Sequence, residues 1–207
     1  MCVGTLDHAK DRHVKGINFV TTLYHSQAVS LPVGFQLIVK TEEYVDKKTQ
    51  KENRRSPVSK NEIARELIGQ AVINNIPFRC VLFDAWFASA ENMRFIKHER
   101  QQDFICPLKT NRKVAISLAG KLQGRFQSVE TLSIEEDATQ EIYLEAVDFP
   151  LLLVKQVFTN EDGSSGTLYL VASDTTLRGC LKLIESRLEW SNCCCNEQKT
   201  LHNQPFR

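Results

Sequence analysis

From Val14 to Tyr24 apolar residues fall at Ile17, Phe19 and Leu23 with polar or small residues between them, the alternation of a strand. From Val29 the alternation is cleaner. Val29, Leu31, Val33, Phe35, Leu37 and Val39 take one face, and Ser30, Gly34, Gln36 and Lys40 take the other. The link from His25 to Ala28 is short, so the two strands are expected to pair antiparallel. Residues 40–60 form a charged connector broken by Ser56-Pro57. Ser59 and Glu62 then have the spacing of a capping box. Ile63, Leu67 and Ala71 follow in one row, with Ile68, Val72 and Ile76 in the next, which makes one broad apolar face. The pattern predicts a helix that stops near Asn74-Asn75, before Pro77.

Phe78 to Asp84 is short and nearly all apolar, which predicts a central strand covered by helices on both faces. Ser89 is placed to cap the next helix, with Met93 and Ile96 on its inner side. Phe104 to Leu108 reads as a second buried strand, and strand–helix–strand implies a right-handed parallel crossover. After Lys109 the character changes. Residues 110–175 hold no convincing helix longer than two turns. They offer strands at Ile142–Val147, Leu151–Phe158 and Leu168–Ala172, the last two joined as a hairpin by the loop Asn160–Gly166. Helical spacing returns from Thr176 at Leu177, Leu181, Ile184 and Leu188. A polar tail with Cys193-Cys194-Cys195 and no periodicity follows. The alternation of elements predicts an α/β fold with a β-rich stretch at 110–175.

Composition narrows the function classes. The 207 residues carry 26 Lys plus Arg against 25 Asp plus Glu, a formal charge of +1. That excludes a strongly basic coat, so any nucleic-acid site is a local patch. No run approaches the roughly 20 apolar residues of a membrane helix, so no membrane partner is expected. The first residues lack a basic stretch followed by an apolar one. The 7 cysteines are odd in number and irregularly spaced, which reads as reduced thiols in a cytoplasmic protein. Cys193-Cys194-Cys195 with His202 lacks the separated pairs of a zinc site.

Asp84 is the first candidate for chemistry. It ends the most apolar strand and begins a loop, and in open α/β sheets functional groups collect at the carboxyl ends of strands where connection direction changes. A carboxylate there suits a hard divalent cation. The bland alternative is a turn residue that accepts backbone amides. Asp174, at the end of a later strand, reads first as a helix N-cap.

The stretches His13–Phe19 (HVKGINF), Val81–Phe87 (VLFDAWF), Pro107–Arg112 (PLKTNR) and Leu168–Asp174 (LYLVASD) occur in an order and spacing that resemble the catalytic domain of bacterial insertion-sequence transposases. These are DDE enzymes with a ribonuclease-H-like fold. The likeness spans roughly residues 7–179, and the β-rich stretch fits the subgroup whose last helix carries a Tyr-Arg-Glu-Lys signature. It implies a mixed sheet with flanking helices, Mg²⁺ as cofactor, and DNA cleavage and strand transfer at transposon ends. In this family two aspartates and a glutamate hold two metal ions, and Asp84 matches the second aspartate. It further implies a partial core at 1–109, a β-rich insertion at 110–175, a remnant of the core's last helix at 176–190 and an aberrant tail at 191–207.

Two departures bear on activity. Asp7 and Asp11 match a His- and Lys-rich stretch of the family rather than its first catalytic strand, so that strand is expected to be missing. Downstream, Tyr169 is the last tyrosine, and Ser191 stands four residues after Arg187 where the signature needs Glu. The expectation is a chain truncated at both ends, with a frameshift near Gly179, and therefore inactive. The alternative is a non-catalytic DNA- or partner-binding module that associates with a full-length transposase and interferes with it. The resemblance also makes Lys109, Arg112 and Lys113 candidates for DNA-backbone contact, and Trp86 a candidate to stack on an unpaired base. Against these stand core packing for Trp86 and plain solvation for the cations. The connector, with seven bases among four acids, reads either as a phosphate-contacting arm or as a solvated loop.

Overall fold

The computed structural model describes residues 3–7, 12–26, 29–136, 138–159 and 163–177. The expected last helix and tail beyond Leu177 lie outside these residues, as does the proposed frameshift point. The chain divides into two units, Met1–Phe78 and Arg79–Arg207.

Among the described residues the first unit contains three antiparallel strand pairs and one helix. β1 (Val3–Asp7) pairs with β2 (Arg12–Gly16). β3 (Phe19–Ser26) pairs with β4 (Val29–Leu37), with a register shift at Thr22/Leu23. The connector folds into β5 (Glu42–Val45) and β6 (Glu52–Arg55). Helix α1 (Lys60–Ile73) begins at the expected capping box. Glu62 N–H donates to Ser59 Oγ at 3.2 Å, and Ser59 N–H donates to Glu62 Oε2 at 2.7 Å. These bonds and the amides they satisfy hold Glu62 below its ordinary pKa. The helix ends at Asn74, as predicted.

α1 covers the face of β3–β4 that carries Val20, Thr22 and Gly34, and Val20 and Ile38 are buried there. The register shift splits the apolar stripe of β4: Leu31, opposite Tyr24, shares the Val20 face, Phe35, opposite Thr21, takes the other, and the two remain 53% and 70% exposed. Gly34 explains the choice of face. A Cβ there would stand 3.0 Å from Leu67 Cδ2 and 3.2 Å from Thr22 Oγ1, so the missing side chain lets the helix approach. We expect Gly34→Val to force Leu67 outward and cost about 1–3 kcal/mol. A thermal melt unchanged from the wild type would contradict that packing.

The second unit is built on one sheet. β7 (Cys80–Leu82) leads through α2 (Ala90–Arg94) to β8 (Asp103–Leu108). The helix is capped by Ser89 as expected and continues as a π-helical turn over Phe95–Glu99. Small elements follow: β9 (Lys113–Val114), α3 (Leu118–Leu122) and β10 (Gln127–Ser128). β11 (Thr139–Ile142), β12 (Leu151–Thr159) and β13 (Ser165–Ala172) complete it. The sheet order is β11-β12-β13-β8-β7. Among the described strands only β7 and β8 run parallel. This is the mixed α/β class read from the sequence, with a five-stranded mixed sheet and few helices, and it is consistent with a ribonuclease-H-like domain.

Three local expectations shift. β7 pairs only with β8 among the described strands and is half-buried, so it is not a strand enclosed on both sides. The strand expected at Ile142–Val147 ends at Ile142, with one further bridge from Tyr143 to Ala115. Leu144 and Val147 are buried from a turn, so their apolar character reports burial and not a strand. Third, β12 and β13, from the stretch assigned to an insertion, are hydrogen-bonded into the same sheet as β8.

The core lies on both faces of that sheet. Leu151 to Val154 are all fully buried. Ile105, Leu152, Val154, Leu170 and Ala172 form one cluster. Phe104 meets Phe83 and Phe149, with ring centroids 5.6 and 6.2 Å away. The inner side of α2 and its continuation contributes Met93 and Ile96, both fully buried as expected.

Candidate functional site

β7 and β8 run parallel, with Leu82 at the end of β7 beside Ile105, and β8 runs three residues further to Leu108. The chain leaves β7 through Phe83, whose N–H donates to Ile105 O at 3.4 Å, and reaches Asp84. It leaves β8 directly into Lys109. β8 is also where the sheet changes direction, parallel to β7 on one side and antiparallel to β13 on the other. Asp84 thus lies two residues past the end of β7, as the apolar run indicated, while the switch in strand direction falls at β8.

Asp84 adopts the turn role weighed as its bland alternative. Its Oδ1 accepts from Trp86 N–H at 2.7 Å and from Phe87 N–H at 3.3 Å, and its carbonyl accepts from Phe87 N–H at 3.1 Å. These bonds fix the carboxyl group on a tight loop. Asn92 supports that loop from α2, donating from Nδ2 to Phe87 O at 2.9 Å while itself buried. Sequence reasoning passed over Asn92. Its signal was a polar amide beside Met93, on the inner side of a short helix.

Trp86 is 63% exposed, which excludes core packing for it. The Lys109 ammonium lies 5.9 Å from its ring centroid, a cation–π contact that joins the two loops. Lys109-Thr-Asn-Arg112 closes as a turn through Arg112 N–H and Lys109 O at 2.9 Å. Burial pushes the Cys106 thiol well above its ordinary range. The Arg112 guanidinium opposes this, and Cys80 and Asp84 add to it. Lys113 diverges. It opens β9, and its Nζ donates to Ser128 Oγ at 3.0 Å. Asp174 caps its turn as expected, accepting from Thr176 N–H and Oγ1–H at 2.9 and 2.6 Å, bonds that lower its pKa.

The two-metal cage of the resembled family can be tested on these donors. Among the described residues, no three His, Cys, Asp or Glu side chains gather where they could hold a metal ion. One half-buried carboxylate with an oxygen bonded to two amides does not fit a pair of divalent cations. Among the described residues no helix is long and apolar enough to cross a membrane.

Fold and site together define an α/β protein in which Asp84, Trp86 and Lys109 lie on the loops that follow β7 and β8, the one parallel strand pair among the described residues. Comparison with known families narrows that class. The pattern described as DDE superfamily endonuclease matches residues 2–124, well over half of the chain, and the chain belongs to that family. No curated protein and no solved structure matches it. The matched span contains Asp84, Trp86, Lys109, Arg112 and Lys113. A DDE endonuclease acts on DNA, and the superfamily generally uses a divalent metal.

Proposed function

We propose that this chain is a segment of an insertion-sequence transposase catalytic domain that retains DNA binding without DNA cleavage. The observation that carries the reading is the loop pair at the ends of β7 and β8. The acid that matches the family's second aspartate accepts from the amide of an exposed indole residue, Trp86, whose ring meets the Lys109 ammonium. Asp84 is the retained catalytic carboxylate. Lys109 and Arg112 meet the phosphodiester backbone, and the exposed face of Trp86 stacks on an unpaired base. Lys113 contributes charge from β9 once its bond to Ser128 yields to a phosphate. In the parent enzyme two Mg²⁺ ions complete the site. Here no acid of the sequence matches the first or third carboxylate of the family pattern, which supports an inert chain. Association with a full-length transposase would then let it occupy transposon ends unproductively.

Binding tests this directly. A labelled DNA hairpin with unpaired bases, followed by fluorescence anisotropy, is expected to bind the wild type. Lys109→Gln with Arg112→Gln is expected to lower affinity several-fold and reduce the salt slope by about 2. Trp86→Ala is expected to lose about 1–3 kcal/mol on the unpaired region and little on a full duplex. Equal binding by all variants would overturn the assignment of the site.

A further inference from the structure

We propose that the β5–β6 ribbon is a second DNA-contacting element, an arm that grips the phosphodiester backbone of duplex DNA with Lys47, Lys48 and Lys51 at its turn. The inference rests on the DNA-binding reading above and adds a surface outside the Asp84 site.

The ribbon neutralises its own shaft. The register sets Glu43 opposite Arg54 and Glu42 opposite Arg55. Arg54 Nε donates to Glu43 Oε1 and Arg55 Nε to Glu42 Oε2, each at 3.0 Å. Arg55 also lies over the Tyr44 ring, 5.6 Å from its centroid. These cross-strand pairs give a ribbon with no buried side chain its register.

The turn leaves its cations free. Asp46 is the nearest acid in the turn, and its Oδ1 accepts from the Lys48 and Thr49 amides at 2.8 and 2.9 Å. Gln50 N–H donates to Asp46 O at 2.8 Å, and Asp46 N–H donates to Lys51 O at 2.9 Å. Gln50 takes φ 54° to close the loop. Those amide bonds hold Asp46 ionised yet directed at the backbone. Among the described residues no ion pair engages Lys47, Lys48 or Lys51, and all three are exposed. Glu52 stands nearby at the start of β6 and forms no ion pair with them. Three ammonium groups are thus presented at the end of a self-neutralised stem.

A two-stranded ribbon of this width enters or tracks a major groove, and lysines bind phosphate as point charges without reading sequence. A solvated loop, the other reading of the connector, needs neither the paired shaft nor a turn whose acid is turned inward.

The test is a salt titration of binding to a short fluorescein-labelled duplex, across about 50–200 mM salt. The triple variant Lys47→Gln, Lys48→Gln, Lys51→Gln removes three exposed charges without touching the shaft, and circular dichroism checks the fold. We expect affinity at low salt to fall about tenfold or more, and the log–log salt slope to flatten by about 2–3. The corresponding triple arginine variant should keep both values. If the wild type binds and the glutamine variant matches it in affinity and slope, the arm is overturned and the Asp84-site reading stands. If the wild type binds no duplex or hairpin DNA at any salt, the DNA-binding reading falls and the arm falls with it.

Discussion

Phe104→Ala is expected to lower the stability of the second unit by roughly 3–5 kcal/mol, the usual cost of emptying a buried phenylalanine site. Phe104 is completely buried at the start of β8 and links Phe83, just past β7, to Phe149 ahead of β12. Those neighbours belong to separate segments of the sheet, so they cannot close over the cavity without moving strands. Domains of this size are stable by about 5–15 kcal/mol, and the loss would consume a large part of that margin. Phe158→Ala is the control. Its ring is 48% exposed and lies across Gly166 on the neighbouring strand, so a change of about 1 kcal/mol or less is expected. Urea denaturation followed by circular dichroism reads both. A Phe104→Ala loss below about 1 kcal/mol would mean that β8 does not lie at the centre of the core.

The same strand positions the candidate site. Phe104 sits beside Val81 in the register, Asp84 lies two residues past the end of β7, and Lys109 directly follows β8. Loosening the core there would also displace the loops that carry Asp84, Trp86 and Lys109. Stability and DNA binding should therefore fall together in Phe104→Ala, whereas Lys109→Gln should affect binding alone.

What could be read from the sequence was governed by short range. The capping box at Ser59 and Glu62, the end of α1 at Asn74 and the Ser89 cap are each made by residues within one helical turn. Local chemistry settles them. The β12–β13 hairpin was likewise legible from two apolar runs and a glycine-containing loop. Asp84 could be placed because a strand terminus is marked by the switch from apolar to polar residues.

What escaped depends on partners distant in sequence. The β5–β6 ribbon has no apolar alternation, and its register comes from Glu–Arg pairs across the strands. A period-based reading sees only a charged connector. The apolar alternation of β4 suggested one shared face, but the register shift at Thr22/Leu23 puts Leu31 and Phe35 on opposite faces, and the pattern did not say which face α1 would cover. That was decided by the space at Gly34 opposite Leu67. Trp86 carried two readings because aromatic character alone does not distinguish a core residue from an exposed one. Asn92 was missed because its role is to hold a carbonyl on a neighbouring loop.

The most direct measurement is nicking of a supercoiled plasmid carrying the nucleotides that flank this gene, incubated with the chain in Mg²⁺. On the proposal that Asp84 alone matches the family's three acids, no open circle is expected above the protein-free control, for the wild type and for Asp84→Ala alike. Metal-dependent nicking by the wild type that Asp84→Ala abolishes would contradict it.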